Sequence, residues 1–155
     1  MKNIFNKTIT LLLIISLLFS FTACIEKDSA VKNITLYLVN GENVTEYCFK
    51  SKAADLGMLI DEHKTDLKAE WTESSMGKYL TAIGGWNIKS DSQYISILVS
   101  FNKIEGNYII FTDPSSAYNT HYEAKNGAKC DSSTVGASSL PLVDGETYVL
   151  ILLSF

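Results

Sequence analysis

Cys24 stands where a cysteine can do chemistry on lipid. Phe21-Thr22-Ala23 precede it, and small residues there let a peptidase approach the bond before a cysteine whose sulfur then carries acyl chains. The stretch before it has the matching anatomy. Lys2 and Lys7 give a positive start, and Ile9 to Phe21 form an apolar block of about a dozen residues, the length of a secretory core rather than a bilayer span. We therefore expect residues 1–23 to be a lipoprotein signal peptide, residues 24–32 a lipidated tether, and residues 33–155 a single domain. An ordinary cleaved secretory signal and an uncleaved anchor are the alternatives. Acyl chains on Cys24 would hold the chain to the extracytoplasmic face of the cell membrane at about 0.8 kcal/mol per buried methylene, two or more chains giving stable anchoring. Residues 25–32 reach only about 16 Å as a flexible coil, which keeps the domain close to that membrane.

With Cys24 assigned to lipid, Cys48 and Cys130 are left as an even pair in an oxidising compartment. Either they form a disulfide, closing a loop of about 80 residues for on the order of 4.5 kcal/mol, or they are two separate thiols. Other chemistry is sparse. Gly-x-Ser-x-Gly, a phosphate loop, His-Glu-x-x-His and paired Cys-x-x-Cys are all missing, so no nucleophile and no zinc class can be nominated. His63 falls on the apolar side of a helical pattern, where an imidazole is more often packed than ligating. His121 lies near Asp113 and Glu123 without metal-ligand spacing, so no metal is expected. Asp61 and Glu62 are adjacent on a helix and point apart, as on a solvated face. An enzyme is not expected.

The aromatic residues are more informative. Trp86 follows Gly84-Gly85 in a turn where a large ring is exposed unless it folds back on the sheet, and Tyr118 and Tyr122 lie in a long polar segment. Rings with a polar tip suit pockets for flat amphipathic ligands, so Gly84, Gly85, Trp86, Tyr118 and Tyr122 are the candidate ligand contacts. Tyr79, Tyr94 and Tyr108 lie in predicted strands and are read as packing residues.

Composition limits the partners. The chain has 155 residues, 13 basic and 17 acidic, and no arginine. Without residues 1–23, which hold two of the lysines, 11 basic and 17 acidic residues remain, a net charge of −6. A negative domain without a guanidinium fork lacks the clustered positive charge that nucleic acid requires.

The elements that must position these residues follow from periodicity. Ile34 to Val39 and Val44 to Phe49 alternate about Gly41-Glu42-Asn43, which predicts a β-hairpin. Ser51 can cap an amphipathic helix over residues 53–64, with Leu56, Leu59, Ile60, His63 and Leu67 at helical spacing. Gly57 inside it costs about 1 kcal/mol relative to alanine, which a close approach to the sheet would explain. Strands are expected over 68–72, 78–83, 94–101 and 107–111, and a polar, turn-rich interval over 112–140. Tyr148 to Leu153 is apolar on both faces, which predicts a central strand. The order gives an α+β, β-grasp-like mixed sheet with one main amphipathic helix.

Ala54 to Leu59, Tyr79-Leu80-Thr81-Ala82-Ile83-Gly84-Gly85 and Val135 through Tyr148 together resemble an uncharacterised exported bacterial family, often lipoproteins, related to the C-terminal domain of transcobalamin. The resemblance covers about residues 34–155. It implies a β-grasp-like fold and a non-enzymatic ligand-binding role, with cobalamin or another corrinoid as the ligand class. The middle strand here reads Tyr94-Ile95-Ser96-Ile97-Leu98 and no Asp-x-His-x-x-Gly is present, so a corrinoid would be held by shape and ring contacts without histidine on cobalt. The expectation is a membrane-anchored module that captures a small ligand and presents it to a membrane transporter. The alternative is a surface interaction or adhesion protein that recognises a polypeptide or glycan.

Overall fold

The computed structural model describes residues 30–74, 77–89, 91–113 and 115–154. The expected signal peptide, Cys24 and most of the expected tether lie outside the described residues. Among the described residues no helix is long and apolar enough to cross a membrane.

Strands β1 (Lys32–Asn40) and β2 (Asn43–Ser51) form the expected hairpin, in register from Lys32 opposite Ser51 to Asn40 opposite Asn43. Gly41, at φ +59°, takes the left-handed first place of the two-residue turn. Next come α1 (Leu56–Glu62) and α2 (Lys64–Leu67). The single helix expected over 53–64 is thus shorter and split, and Ser51 is not its cap. Leu56 donates to the Leu140 carbonyl and Leu142 to the Ala54 carbonyl, so the chain before Leu56 is held extended and cannot coil. Asp55, at φ −138°, caps instead, its carboxylate accepting from the Met58 N–H at 2.8 Å. His63 leaves helical geometry at φ −109°, and Lys68 ends α2 in the left-handed region at φ +48°. Gly57 is explained by a close approach, but to the 3-10 turn Ala137–Ser139 rather than to the sheet. A Cβ there would lie 3.1 Å from Ser138 Cα.

Beyond the helices, β3 (Glu70–Ser74), β4 (Gly77–Ile83) and β5 (Trp86–Asn87) make a three-stranded sheet. Strand β6 (Gln93–Val99) follows, then a small hairpin of β7 (Lys103–Ile104) and β8 (Asn107–Tyr108). The interval 112–140 is not all loop. It contains β9 (His121–Glu123) and β10 (Lys129–Ser132), which extend the main sheet. The chain then runs to β11 (Thr147–Ser154). The six-stranded main sheet has the order β2-β1-β11-β6-β10-β9. Among the described residues only few and short helices accompany these strands, so the fold is α+β and mostly sheet.

As expected, β11 is central. It runs parallel to β1 and antiparallel to β6, and both of its faces are buried. On one face Ile34, Leu36 and Leu38 of β1, Tyr148 and Leu150 of β11 and Val99 of β6 pack with Leu56, Leu59, Ile60 and Leu67 of the helices. Each fully buried leucine or isoleucine contributes about 1.5–3 kcal/mol. On the other face Tyr37, Val39, Leu98, Cys130, Val149 and Ile151 cluster with Ala124. Such two-sided burial is what a continuous apolar strand requires.

Cys48 and Cys130 are both free thiols, Cys48 exposed and Cys130 buried. Cys48 is on β2 and Cys130 on β10, with β1, β11 and β6 between them. At about 4.8 Å per strand the gap is about 19 Å, far beyond the Cα separation of about 4.4–6.8 Å that a disulfide spans. Of the two readings of this pair, separate thiols is the one the fold permits.

Candidate functional site

A fork in the sheet creates a hollow among the described residues. Strand β6 pairs with β11 along all seven residues, Gln93 to Val99, but with β10 only through Leu98 and Val99. After Ser132 the chain peels away from β6. The Ser133 N–H still donates to the Ile97 carbonyl at 2.7 Å, but the Thr134 N–H bonds to the Ile109 carbonyl, and the Ser133 hydroxyl closes a tight turn with the Val135 backbone. The wedge that opens has a volume of about 270 Å³. Its floor is Tyr94 to Ile97, its far side runs from Ser132 to Gly136, and Phe111 and Tyr118 stand at its wall.

Ser132 holds this fork together. Its side chain is buried, and its hydroxyl accepts from the Thr120 N–H at 3.0 Å and lies 3.3 Å from the Ser96 hydroxyl. Its backbone carbonyl accepts from Phe111. One residue therefore ties β6, the Phe111 segment and the loop carrying Tyr118. That loop is stapled by Asp113, whose carboxylate accepts from the Ser115 N–H and hydroxyl at 2.9 and 2.7 Å. These bonds favour the ionised form and lower the Asp113 pKa. Tyr118 is left 60% exposed, its ring 6.1 Å from that of Phe111. The wall thus presents aromatic surface that the fold does not bury.

Of the five residues singled out in the sequence, only Tyr118 reaches this groove. Gly84 and Gly85 form the two-residue turn between β4 and β5, with φ +61° and +87°, as a turn of type I′ demands. The turn does not present Trp86 outward, because its ring is half-buried against the main core. A Cβ at Gly84 would lie 2.9 Å from Leu38 Cδ1, so glycine here permits close packing on the sheet. Tyr122, on β9, packs with the Cys130 cluster. The groove residues that sequence reading left out are Tyr94, Ile95, Ile97, Phe111 and the Ser132–Gly136 stretch. Tyr94, Ile95, Ile97 and Phe111 were legible as strand residues but not as site residues, because the hollow beside them forms only where the Ser132–Gly136 stretch leaves β6.

The other candidates carry less. His121 Nδ1 lies 2.5 Å from Asp131 Oδ1, its cross-strand neighbour, rather than with Asp113 or Glu123. Among the described residues no group of three or more His, Cys, Asp or Glu side chains could hold a metal ion. His63 stacks on Phe49 with ring centroids 4.2 Å apart. A second, wider hollow of about 490 Å³ lies among Lys64, Thr65, Lys68, Ala69, Glu70 and Trp71, where Trp71 Nε1 donates to Asp61 at 2.7 Å. It is a shallow polar surface between lysine stems.

No protein-family model matches the chain, and no curated protein matches it. Its fold is similar to that of a solved structure described as a "putative metal binding protein" from Ruminococcus gnavus ATCC 29149, with a TM-score of 0.54. The two are 16% identical over a match covering 80% of this chain and 98% of that one. A likeness at this identity speaks to the fold alone.

Proposed function

We propose that this chain is a lipid-anchored, extracytoplasmic, non-enzymatic binding module whose site is the groove beside β6. The groove carries the reading: it joins unburied aromatic surface to a frame fixed by Ser132 and Asp113. The Cys24 signal supports the anchoring at the cell membrane, and the short tether supports a role at the membrane surface, where a transporter is the natural recipient. The hairpin, the crossing helices and a last strand parallel to the first support a β-grasp-like class, as the resemblance to the transcobalamin-related family implies.

That resemblance makes a corrinoid the first ligand to test. A corrinoid macrocycle is larger than a wedge of about 270 Å³, so it would insert an edge beside Phe111 and Tyr118. The full chain in detergent micelles is to be titrated with cobalamin and cobinamide, alongside Tyr118→Ala. Binding near micromolar that weakens at least tenfold in the variant is the expected result. Absence of binding to both compounds overturns the corrinoid version. Lipidation is tested separately by mass spectrometry of the membrane-extracted chain, which is expected to begin at an acylated Cys24 and to remain unprocessed in Cys24→Ser.

The structural neighbour's description raises metal binding as a second reading. The His121–Asp131 pair offers it a foothold, and two side chains make a poor site.

A further inference from the structure

We infer that the groove also takes a segment of polypeptide in extended conformation, which adds as a strand to the open edge of β6. This rests on the groove being the binding site and adds a second class of ligand to it. The bond from Ser133 N–H to the Ile97 carbonyl fixes the alternation along β6, and the bond from Ser100 N–H to the Thr147 carbonyl on β11 agrees with it. Ile97 and Ile95 turn their backbone groups toward the fork, while Ser96 and Leu98 turn theirs toward β11. Among the described residues nothing bonds to the Ile97 N–H or to the N–H and carbonyl of Ile95 on that side.

These groups recur every second residue, about 6.8 Å apart, which is the repeat of an extended peptide backbone. The vacant place is the one β10 would fill had it not turned off at Ser133. Open strand edges are normally blunted by charge, proline or a covering segment. Ile95-Ser96-Ile97 carries no charge and no proline, so neither of those devices blunts this edge. Phe111 and Tyr118 then offer apolar surface to a side chain of the added strand, and β-branched or aromatic residues in it fit best.

The probe is a pool of acetylated, amidated hexapeptides with Val, Ile, Tyr or Phe at odd positions and Thr at even ones, added to the isotope-labelled full chain in detergent micelles. Without peptide, the amides of Ile95 and Ile97 should exchange rapidly with solvent while those of Ser96 and Leu98 are protected. With peptide, exchange at Ile95 and Ile97 should slow at least tenfold. Two further pools, N-methylated at odd or at even residues only, should differ at least tenfold in affinity, because one set of amides faces β6. Equal affinities, unchanged exchange at Ile95 and Ile97, or no binding of the pool overturns the inference. So does protection that grows with protein concentration in the absence of peptide, which would mean pairing between copies. The groove itself is judged independently, by whether Tyr118→Ala weakens corrinoid binding.

Discussion

Tyr148 shows what single side chains contribute at the sheet's centre. Its ring is buried, and its hydroxyl donates to the Pro141 carbonyl at 2.8 Å and accepts from the Val143 N–H at 2.9 Å. The segment from Ala137 to Tyr148, part of the closing stretch that carries the sequence resemblance, is thereby explained as a folded connection into β11. Tyr148→Phe leaves a half-buried N–H and carbonyl without their partner and should cost about 1 kcal/mol, read as a lower urea midpoint at unchanged slope. Burial also pushes the Tyr148 pKa well above its usual value, with Glu146 adding to the effect. At Cys130, burial foremost and then Asp131 and Glu146 raise the thiol from 9.0 to about 11. For both groups the neutral form is favoured by folding. The Cys130 contribution is therefore fully present below pH 9 and is lost as pH rises toward 11, at up to about 1.4 kcal/mol per pH unit. Relative to Cys130→Ala, the parent chain should lose stability more steeply across that window in urea melts. A thiol reagent near neutral pH should modify exposed Cys48 in the folded chain and spare Cys130 until denaturant is added.

At the scale of elements, the turn between β4 and β5 tests why its glycines are there. Both have positive φ, but only Gly84 meets a neighbour, Leu38 Cδ1, while Gly85 faces open space. Alanine at either site carries about 1–2 kcal/mol of left-handed strain. Gly84→Ala must also push Leu38 aside in the core. Gly84→Ala should therefore lower the thermal midpoint more than Gly85→Ala does, and equal effects would mean the contact with Leu38 is unimportant. The elements also show what could be read from sequence. The β1–β2 hairpin was legible because its alternation and turn chemistry are local. The helix boundary was not, because Asp55 caps only once the Leu140–Leu142 segment holds residues 52–55 extended. Strands β9 and β10 were hidden for the same reason. They are short, polar on one side, and form only when β6 supplies an edge. Trp86 could be read either as a ligand contact or as a ring folded back on the sheet, and its packing against the main core selects the second.

For the whole molecule, β11 joins the parts. It is the only strand between the β1–β2 hairpin and β6 in the main sheet, and it supplies Tyr148 and Leu150 to one core and Val149 and Ile151 to the other. Its central place was legible in its apolar run, whereas the fork between β6 and β10 depends on where Ser133 meets Ile110, more than 20 residues away. The same dependence puts the candidate site under the control of the last strand. Without β11, β6 loses its one continuous partner, and the open edge at Ile95 and Ile97 has nothing to hold it straight. The Asp144 carboxylate, which accepts from the Asn33 N–H and side chain at 2.7 and 3.0 Å, ties the start of β11 back to β1 and so sets its register. A chain ending at Glu146 should therefore show no cooperative urea transition, and Ile95 and Ile97 should give no resolved amide signals. Adding the Thr147–Ser154 peptide in excess should restore both together, since mass action favours the state that binds it. A truncated chain that still unfolds cooperatively would mean that the hairpin and helices fold without the central strand. The groove would then be an independent feature of the β6, β9 and β10 half.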